Sequence, residues 1–337
     1  MCNTTKILKT ERLILRPWEV TDAESLYEYA KDERVGPIAG WPPHTSVENS
    51  REIIKTVLSA PETYAVCLKD DHKPIGSIGL MIGKQSNLGL PDTEGEIGYW
   101  IGVPFWGQGL IPEAAREIIR YAFTDKRLEI LWCGCFDGND KSRRVQEKCG
   151  FSYHHTNKDI HWKVMNDIRT EHITRLTKEE WKNCFEIRGL SLDERTSALK
   201  LAWRVFSAYE SPDYAPEGTE EFRKCLHDEE YLHNLQFYGA FDGRRLVGEI
   251  AIRPDKRHIC FFFVDGMYHR LGVGTRMFHF LLDDYPNETI TLNSSPYGLP
   301  FYKAIGFVPT DEEQTVNGIR FTPMIFEHKQ KGCSQNA

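Results

Sequence analysis

The residues with the strongest claim to chemistry are two pairs of glycines. In VPFWGQGLIPEAAREIIRYAF (103–123) an apolar, strand-like run ends in Gly107 and Gly109, spaced G-x-G, and an amphipathic helix begins at once. FFFVDGMYHRLGVGTRMFHFLL (261–282) repeats the arrangement with Gly272 and Gly274. The first turn of a helix leaves backbone N–H groups without partners and carries partial positive charge. Glycine lets a ligand come close to that backbone. Each junction is therefore expected to hold a phosphate group. The residues are Trp106, Gly107, Gln108, Gly109, Leu110 and Ile111 in the first, and His269, Arg270, Leu271, Gly272, Val273, Gly274 and Thr275 in the second. Pro112 falls in the first turn, where its missing N–H costs little.

Neither copy is one of the common nucleotide loops. The dinucleotide fingerprint needs a third glycine, where this chain has Pro112 in one copy and the neighbourhood of Arg276 in the other. The Gly-Lys-Ser/Thr of a P-loop is absent. A strand-to-helix turn with no ligand explains a single glycine pair equally well. Two copies in one context weigh against that reading.

The elements that must position these glycines repeat as well. Each half opens with a strand and a helix: ERLILRPW then TDAESLYEYAKD, and FEIRGL then SLDERTSALKLAWRVFSAY. Thr21 or Asp22, and Ser191, are placed as helix caps. An irregular loop (36–46; 210–219), a short helix and a hairpin follow, the second hairpin turning on Asp242-Gly243. The second hairpin strands carry matching text, PIGSI (74–78) and LVGEI (246–250). After the G-x-G helix come a strand, a short helix and a terminal Gly-Phe, Gly150-Phe151 or Gly306-Phe307. Spacing predicts core-facing stripes of Ile111, Ala115, Ile118, Ile119 and Ala122, and of Val273, Met277, Phe280 and Leu281. A repeat this long is a domain rather than a solenoid module. The boundary is expected within 166–184, giving domains 1–181 and 182–337.

Composition narrows the class. The 337 residues are 40% hydrophobic and 27% charged, with a net charge of −7, so the chain reads as soluble and globular. Neither half is basic, which argues against nucleic acid. No apolar run approaches a membrane span, and the N-terminus lacks the apolar core of a secretory signal. A cytoplasmic protein with no membrane partner is expected. Nine cysteines are scattered without a C-x-x-C pair, so they read as reduced core thiols and no metal site is expected.

The order of strand, Trp106-Gly107-Gln108-Gly109-Leu110-Ile111, helix, strand, Asn139-x-x-Ser142 and Gly150-Phe151 resembles the GNAT superfamily of acetyl-CoA-dependent N-acetyltransferases. The opening Thr10-Glu11-Arg12-Leu13 and Leu15-Arg16-Pro17 is similar to that of the ribosomal-protein N-terminal acetyltransferase branch. The second half resembles a more general GNAT domain through His269 to Gly274, Pro300-Phe301-Tyr302 and Gly306-Phe307. The resemblance implies an α/β (α+β) fold of two tandem domains. Each is a central mixed, mostly antiparallel twisted sheet flanked by helices. Ile111 departs from the family's last small residue, and at its first position stand Trp106, common in that branch, and His269.

What the resemblance implies chemically is direct transfer from acetyl-CoA to an amine. Pantetheine is expected along a splayed strand, at the backbone of Ile101, Gly102 and Val103 and of Phe263, Val264 and Asp265. A backbone N–H there would steady the oxyanion. Tyr302 matches the family tyrosine near the thioester sulfur and is assigned the acid role. Gln146 stands at that position in the first half, so Ser142 is the substitute donor, with Asn139 either a cofactor contact or only a helix cap. Glu96 and His258 are the candidate bases. Trp41, Tyr209, Glu210, Asp213 and Tyr214, on the irregular loops, are the candidate acceptor contacts. Domain two keeps both loop glycines and the tyrosine, so it is favoured as active. The alternative is that one domain catalyses while the other binds CoA or shapes the substrate site. A CoA-binding sensor without catalysis is a further alternative. The acceptor is an amine, a protein N-terminus or a small molecule, and the protein is expected to be a monomer or homodimer.

Overall fold

The computed structural model describes residues 6–328. The chain divides into two compact units, Met1–Cys184 and Phe185–Ala337, three residues past the boundary expected from the sequence. The N-terminal unit runs β1 (Leu8–Lys9), β2 (Leu13–Pro17), α1 (Ala23–Ala30), α2 (Gly36–Ala39), α3 (Val47–Ile53), β3 (Thr63–Leu68), β4 (Pro74–Ile82), β5 (Glu94–Ile101), α4 (Leu110–Thr124), β6 (Ile130–Phe136), α5 (Asp140–Lys148), β7 (Ser152–Trp162), β8 (Asp167–Thr177) and α6 (Lys178–Asn183). Its sheet has the order β1-β2-β3-β4-β5-β6-β8-β7. The C-terminal unit runs β9 (Glu186–Gly189), α7 (Leu192–Tyr209), α8 (Pro216–Cys225), α9 (Glu229–His233), β10 (Gln236–Asp242), β11 (Arg245–Arg253), β12 (His258–Val264), α10 (Val273–Asp284), β13 (Ile290–Ser294), α11 (Leu299–Ala304), β14 (Val308–Pro309), β15 (Gln314–Val316) and β16 (Ile319–Phe326). Its sheet has the order β14-β16-β13-β12-β11-β10-β9, with β15 on β16. The expected α/β fold with two mostly antiparallel sheets is therefore present. Among the described residues no helix is long and apolar enough to cross a membrane.

The glycine junctions sit where each sheet changes direction. In each unit one pair of strands is parallel, and that pairing is short. β5 and β6 pair only over Glu94–Glu96 against Ile130–Trp132. β12 and β13 pair only over His258–Ile259 against Thr291–Leu292. Beyond those residues the strands part, while β5 stays bonded to β4 as far as Ile101 and β12 to β11 as far as Val264. The result is a notch open toward the G-x-G turn. The matching hairpin text explains how the long strands stay in place. A Cβ on Gly76 would fall 2.4 Å from the Trp100 carbonyl oxygen, and one on Gly248 2.7 Å from Met277 Sδ.

Helices α4 and α10 roof the sheets with their apolar stripes. All five expected residues of α4 are buried. In α10 the buried set is Val273, Met277, Phe278 and Leu281; Phe280 is only half-buried. Phe278 takes its place because Phe307 and Phe326 lie within 5.1 Å of its ring on the sheet side.

The residue after each matched glycine differs in kind. Ser77 is held by the Trp18 indole N–H at 3.2 Å and donates to the Tyr64 carbonyl at 3.1 Å. Glu249, at the same place in the C-terminal unit, is 0% exposed, and neither carboxyl oxygen has a hydrogen-bond partner among the described residues. Burial pushes its carboxyl well above the ordinary range, so folding binds a proton there. A raised folded value lowers stability as pH rises from the unfolded value toward the folded one. Glu249→Gln keeps the shape and removes the titration. Thermal melts from pH 5 to pH 8 should show the variant gaining on the wild type as pH rises; parallel melting curves would refute this account of Glu249.

Candidate functional site

The N-terminal notch ends in a loop whose backbone is set for an anion. Gly107 and Gly109 have φ of 76° and 75°, a region that side chains disfavour. Among the described residues the N–H groups of Gly107, Gln108, Gly109, Leu110 and Ile111 make no hydrogen bond. The loop is anchored from behind by Trp106, whose indole N–H donates to the Ile101 carbonyl at 3.0 Å. A cavity of about 720 Å³ opens over it, reaching from Tyr99 and Trp100 past Gly109 to Ser142. Cations stand around the rim: Arg34, Lys141, Arg144 and Lys148 all line it, against one acid, Asp140. Lys141 Nζ lies 3.2 Å from the centre of the Trp106 ring. Ile111 is 5% exposed and turned into the core beneath the loop, so it narrows the cavity without covering the free N–H groups.

The opening motif of the chain turns out to hold this loop. Arg12 donates to the Glu113 carboxylate from its backbone N–H at 2.8 Å and from Nε at 2.7 Å, and to the Gln108 carbonyl at 3.1 Å. Thr10 donates to the same carboxylate. Glu113 sits in the first turn of α4, where a carboxylate suits the helix dipole. A Cβ on Gly109 would lie 3.8 Å from the Arg12 guanidinium, which therefore stands directly against the loop. Arg16 does similar work, gripping Asp22 at 2.7 and 2.8 Å where α1 begins.

On the other side of the notch the candidate donors meet. Asn139 caps α5, accepting from the Ser142 N–H at 3.2 Å, and also lines the cavity. Ser142 Oγ accepts from Gln146 at 3.3 Å and lies 3.1 Å from the Tyr99 hydroxyl, which also donates to the Ser142 carbonyl at 3.0 Å. Gln146 is 1% exposed and pinned between the Gly134 carbonyl and Thr174, a structural role. Tyr99 is a polar group that the sequence pattern passes over. Its alternation marks which strand face it takes, not that α5 brings a serine to it.

Glu96 closes the parallel pairing and accepts from Ser86 Oγ at 2.6 Å; burial raises its carboxyl. A second carboxyl, Glu171 on β8, is missed by sequence reasoning. Burial, reinforced by the charge of Glu96, pushes it up to about 7. Trp41 packs its ring on Trp100, centres 5.6 Å apart. One backbone expectation needs correction: the Gly102 N–H is spent on the Ile75 carbonyl and the Ile101 carbonyl on Trp106, so neither is open to a ligand.

The C-terminal unit copies the loop and closes more of it. His269 repeats the Trp106 tie, its Nε2 lying 2.7 Å from the Val264 carbonyl. The Asp265 N–H is spent on the Val247 carbonyl, and its buried carboxylate accepts from Arg204 and Arg245 at 2.9 and 3.1 Å; like Gly102 it is no free backbone contact. The Phe263 side chain is core, under α7. Arg270 has a φ of 62°, Gly272 caps α10 at 79°, and Leu271 bonds weakly back to Tyr268 at 3.4 Å. The N–H groups of Gly272, Val273, Gly274 and Thr275 have no partner among the described residues. The Phe301 ring, however, lies against Gly274, where a Cβ would meet it at 2.9 Å.

The other C-terminal candidates scatter. His258 stands at the closed end of the notch, 2.9 Å from Thr291 Oγ1, and burial lowers its imidazole. Tyr302 packs among Phe262, Phe301 and Phe307, and burial with the charges of Glu210 and Glu249 raises its hydroxyl. Glu210 is pushed up to about 7 by burial, with Ser295 bonded to it. Tyr209 packs its ring against His269 and Tyr297, centres 5.0 and 5.2 Å apart. Tyr214 donates to the Arg320 carbonyl at 3.0 Å and packs on Phe206, while Asp213 is exposed.

Comparison with known proteins identifies the family. Two models of the acetyltransferase (GNAT) domain match the chain, one over residues 12–152 and another over 210–328. The chain is 33% identical over 126 residues to "Uncharacterized N-acetyltransferase p20" of Bacillus licheniformis, covering 36% of this chain and 68% of that protein. It is 32% identical over 155 residues to "Probable N-acetyltransferase YjcK" of Bacillus subtilis, covering 43% of this chain and 83% of that one. Over 65 residues it is 43% identical to "Putative ribosomal N-acetyltransferase YdaF" of Bacillus subtilis, 19% of this chain and 36% of that protein. The chain belongs to the GNAT acetyltransferases and is an acetyl-CoA-dependent N-acetyltransferase with two such domains in tandem.

Proposed function

We propose that the N-terminal unit is the principal acetyl-CoA site and catalyses direct transfer of the acetyl group to an amine. The observation that carries this is the run of five unpartnered N–H groups at Gly107–Ile111 beneath a cation-rimmed cavity that continues into the notch. Those N–H groups suit a pyrophosphate, and the rim cations suit the remaining phosphate charge. When bound, acetyl-CoA supplies an activated acyl group. Tyr99, backed by Ser142, is within the cavity to give the departing thiolate a proton. This reverses the preference that the glycine count alone suggests, because Phe301 covers Gly274 in the C-terminal loop.

The C-terminal unit is read as a second CoA-binding or substrate-shaping domain. A protein N-terminus is the favoured acceptor, a reading supported by the name of one relative, a ribosomal N-acetyltransferase. A cytoplasmic monomer or homodimer, without nucleic acid or membrane partners, belongs to the same proposal.

Calorimetry with acetyl-CoA tests the assignment. Gly109→Asp, which sets a negative charge at the loop, should abolish the main binding event, whereas Gly272→Asp should leave it. Loss confined to Gly272→Asp would hand the role to the C-terminal unit, and no binding by the wild type would overturn the proposal. Arg12→Ala removes the Nε bond to Glu113 and frees the Gln108 carbonyl, while Thr10 and the backbone N–H still hold the carboxylate. It should weaken acetyl-CoA binding about 10-fold, or about 1.4 kcal/mol, with kcat little changed. Tyr99→Phe should do the reverse, lowering kcat by about 10²-fold at an unchanged acetyl-CoA Kd; steady-state kinetics on both variants separates the two roles.

A further inference from the structure

We propose that Glu171 is the proton acceptor of the N-terminal unit, taking a proton from a primary ammonium that enters between Glu96, Trp100 and Trp41. The inference rests on the N-terminal unit being the transferase site. Its basis is a shared face. Glu96 pairs with Trp132, and Gly134 lies two residues further along β6 on the same side. Gly134 pairs with Ile173, two residues from Glu171. Side chains at such spacings project from one face of the sheet. Glu171 reaches across β6 because Gly134 has no side chain: a Cβ there would fall 2.5 Å from its Oε1. Gly98, two residues past Glu96, adds no side chain of its own, only Met81 Cε coming near at 3.3 Å from where a Cβ would stand, and Trp100 follows with the Trp41 ring edge-on to it. This face of the sheet thus carries carboxyls at one end and indole rings at the other, a pairing that suits an ammonium on a short organic stem.

The neighbours leave Glu171 available. Among the described residues its carboxylate makes no hydrogen bond or ion pair, while Glu96 is committed to Ser86. Arg169, on the same face, is held by Asp167 and the Pro37 carbonyl at 2.8 Å each. His172 faces away, bonded to Thr156 and Asp137. Asn157 is the partner across from Glu171 on β7, and Cys135, the other titratable neighbour, is itself raised by burial. A base whose carboxyl sits near 7 holds its proton loosely enough to return it to water at neutral pH.

The step balances without any further reagent. One ammonium proton passes to a Glu171 oxygen. The freed nitrogen lone pair forms the C–N bond at the acetyl carbonyl carbon. The C–S bond breaks, and the nitrogen's second proton makes up the CoA thiol by way of Tyr99. Glu171 then gives its proton to solvent.

The test uses the full chain with acetyl-CoA and three amine probes: trialanine with a free N-terminus, spermidine and benzylamine. Thiol release is followed from pH 5.5 to pH 9. Wild type should acetylate at least one probe, with kcat/KM rising through about pH 7 as Glu171 loses its proton. Glu171→Gln should lose about 10²-fold and that inflection while binding acetyl-CoA as tightly as wild type. Gly134→Ala, which displaces the carboxyl without removing it, should lose rate in the same way, with melts confirming that both variants fold. An inflection that survives in Glu171→Gln, or transfer to none of the probes by a protein that binds acetyl-CoA, would overturn the assignment of Glu171. Failure to bind acetyl-CoA at all would instead overturn the reading beneath it.

Discussion

Both units depend on two parallel strands that begin together and then part. A sheet that opens leaves backbone donors and acceptors unpaired, and such groups must find partners or a ligand. Part of that demand is met inside the chain. In the N-terminal unit the Cys133 thiol donates to the Ile97 carbonyl and Trp106 to the Ile101 carbonyl. In the C-terminal unit His269 repeats the second tie. The rest of the opening is continuous with a helix N-terminus whose N–H groups are likewise free. Notch and helix end are therefore continuous, the backbone groups of the one partly spent within the chain and the N–H groups of the other without partners among the described residues.

The two units solve the crowding at the loop in opposite ways. The N-terminal unit carries Ile111 on the helix and Val145 on α5, and both border an open cavity. The C-terminal unit removes the side chain at Gly274 and fills the space with Phe301. The glycine looked like the better ligand loop because a bare backbone invites close approach. The approach is made by the protein's own phenylalanine. A small residue in a loop thus reports that something comes near, and only the packing tells what it is.

That distinction sets how much could be read in advance. The order of elements, the two-domain plan and the two glycine turns were legible, because each depends on local pattern: alternation, helical stripes and glycine at left-handed positions. Within α10 the stripe was off by one contact, since Phe278 and Phe280 differ only in what the sheet offers them. The Thr10–Arg12 segment was legible as a motif but not as a clamp, because its partner Glu113 lies a domain's breadth away in sequence. Tyr99 and Glu171 were hidden for the same reason. Each is an unremarkable strand residue until α5 or a side-chain-free stretch of β6 gives it a neighbour. Tyr209 looked like a loop residue but ends α7, where it packs on Tyr297, and Tyr214 donates to the Arg320 carbonyl.

Duplication also shows which polar groups the fold does not require. Ser77 fulfils the structural need on the second hairpin strand with two ordinary hydrogen bonds. Glu249 occupies that place with a carboxyl that has no hydrogen-bond partner among the described residues, and it acts on Tyr302 together with Glu210. A buried acid without partners is a cost to folding. The N-terminal unit has its own raised carboxyls, Glu96 on β5 and Glu171 on β8, the two strands that flank β6. The C-terminal unit has Glu210 at the end of α7 and Glu249 on β11, whose charges act on a tyrosine enclosed by phenylalanines. One scaffold thus holds two differently placed acid pairs. That difference in placement, more than the loops they share, separates the two units.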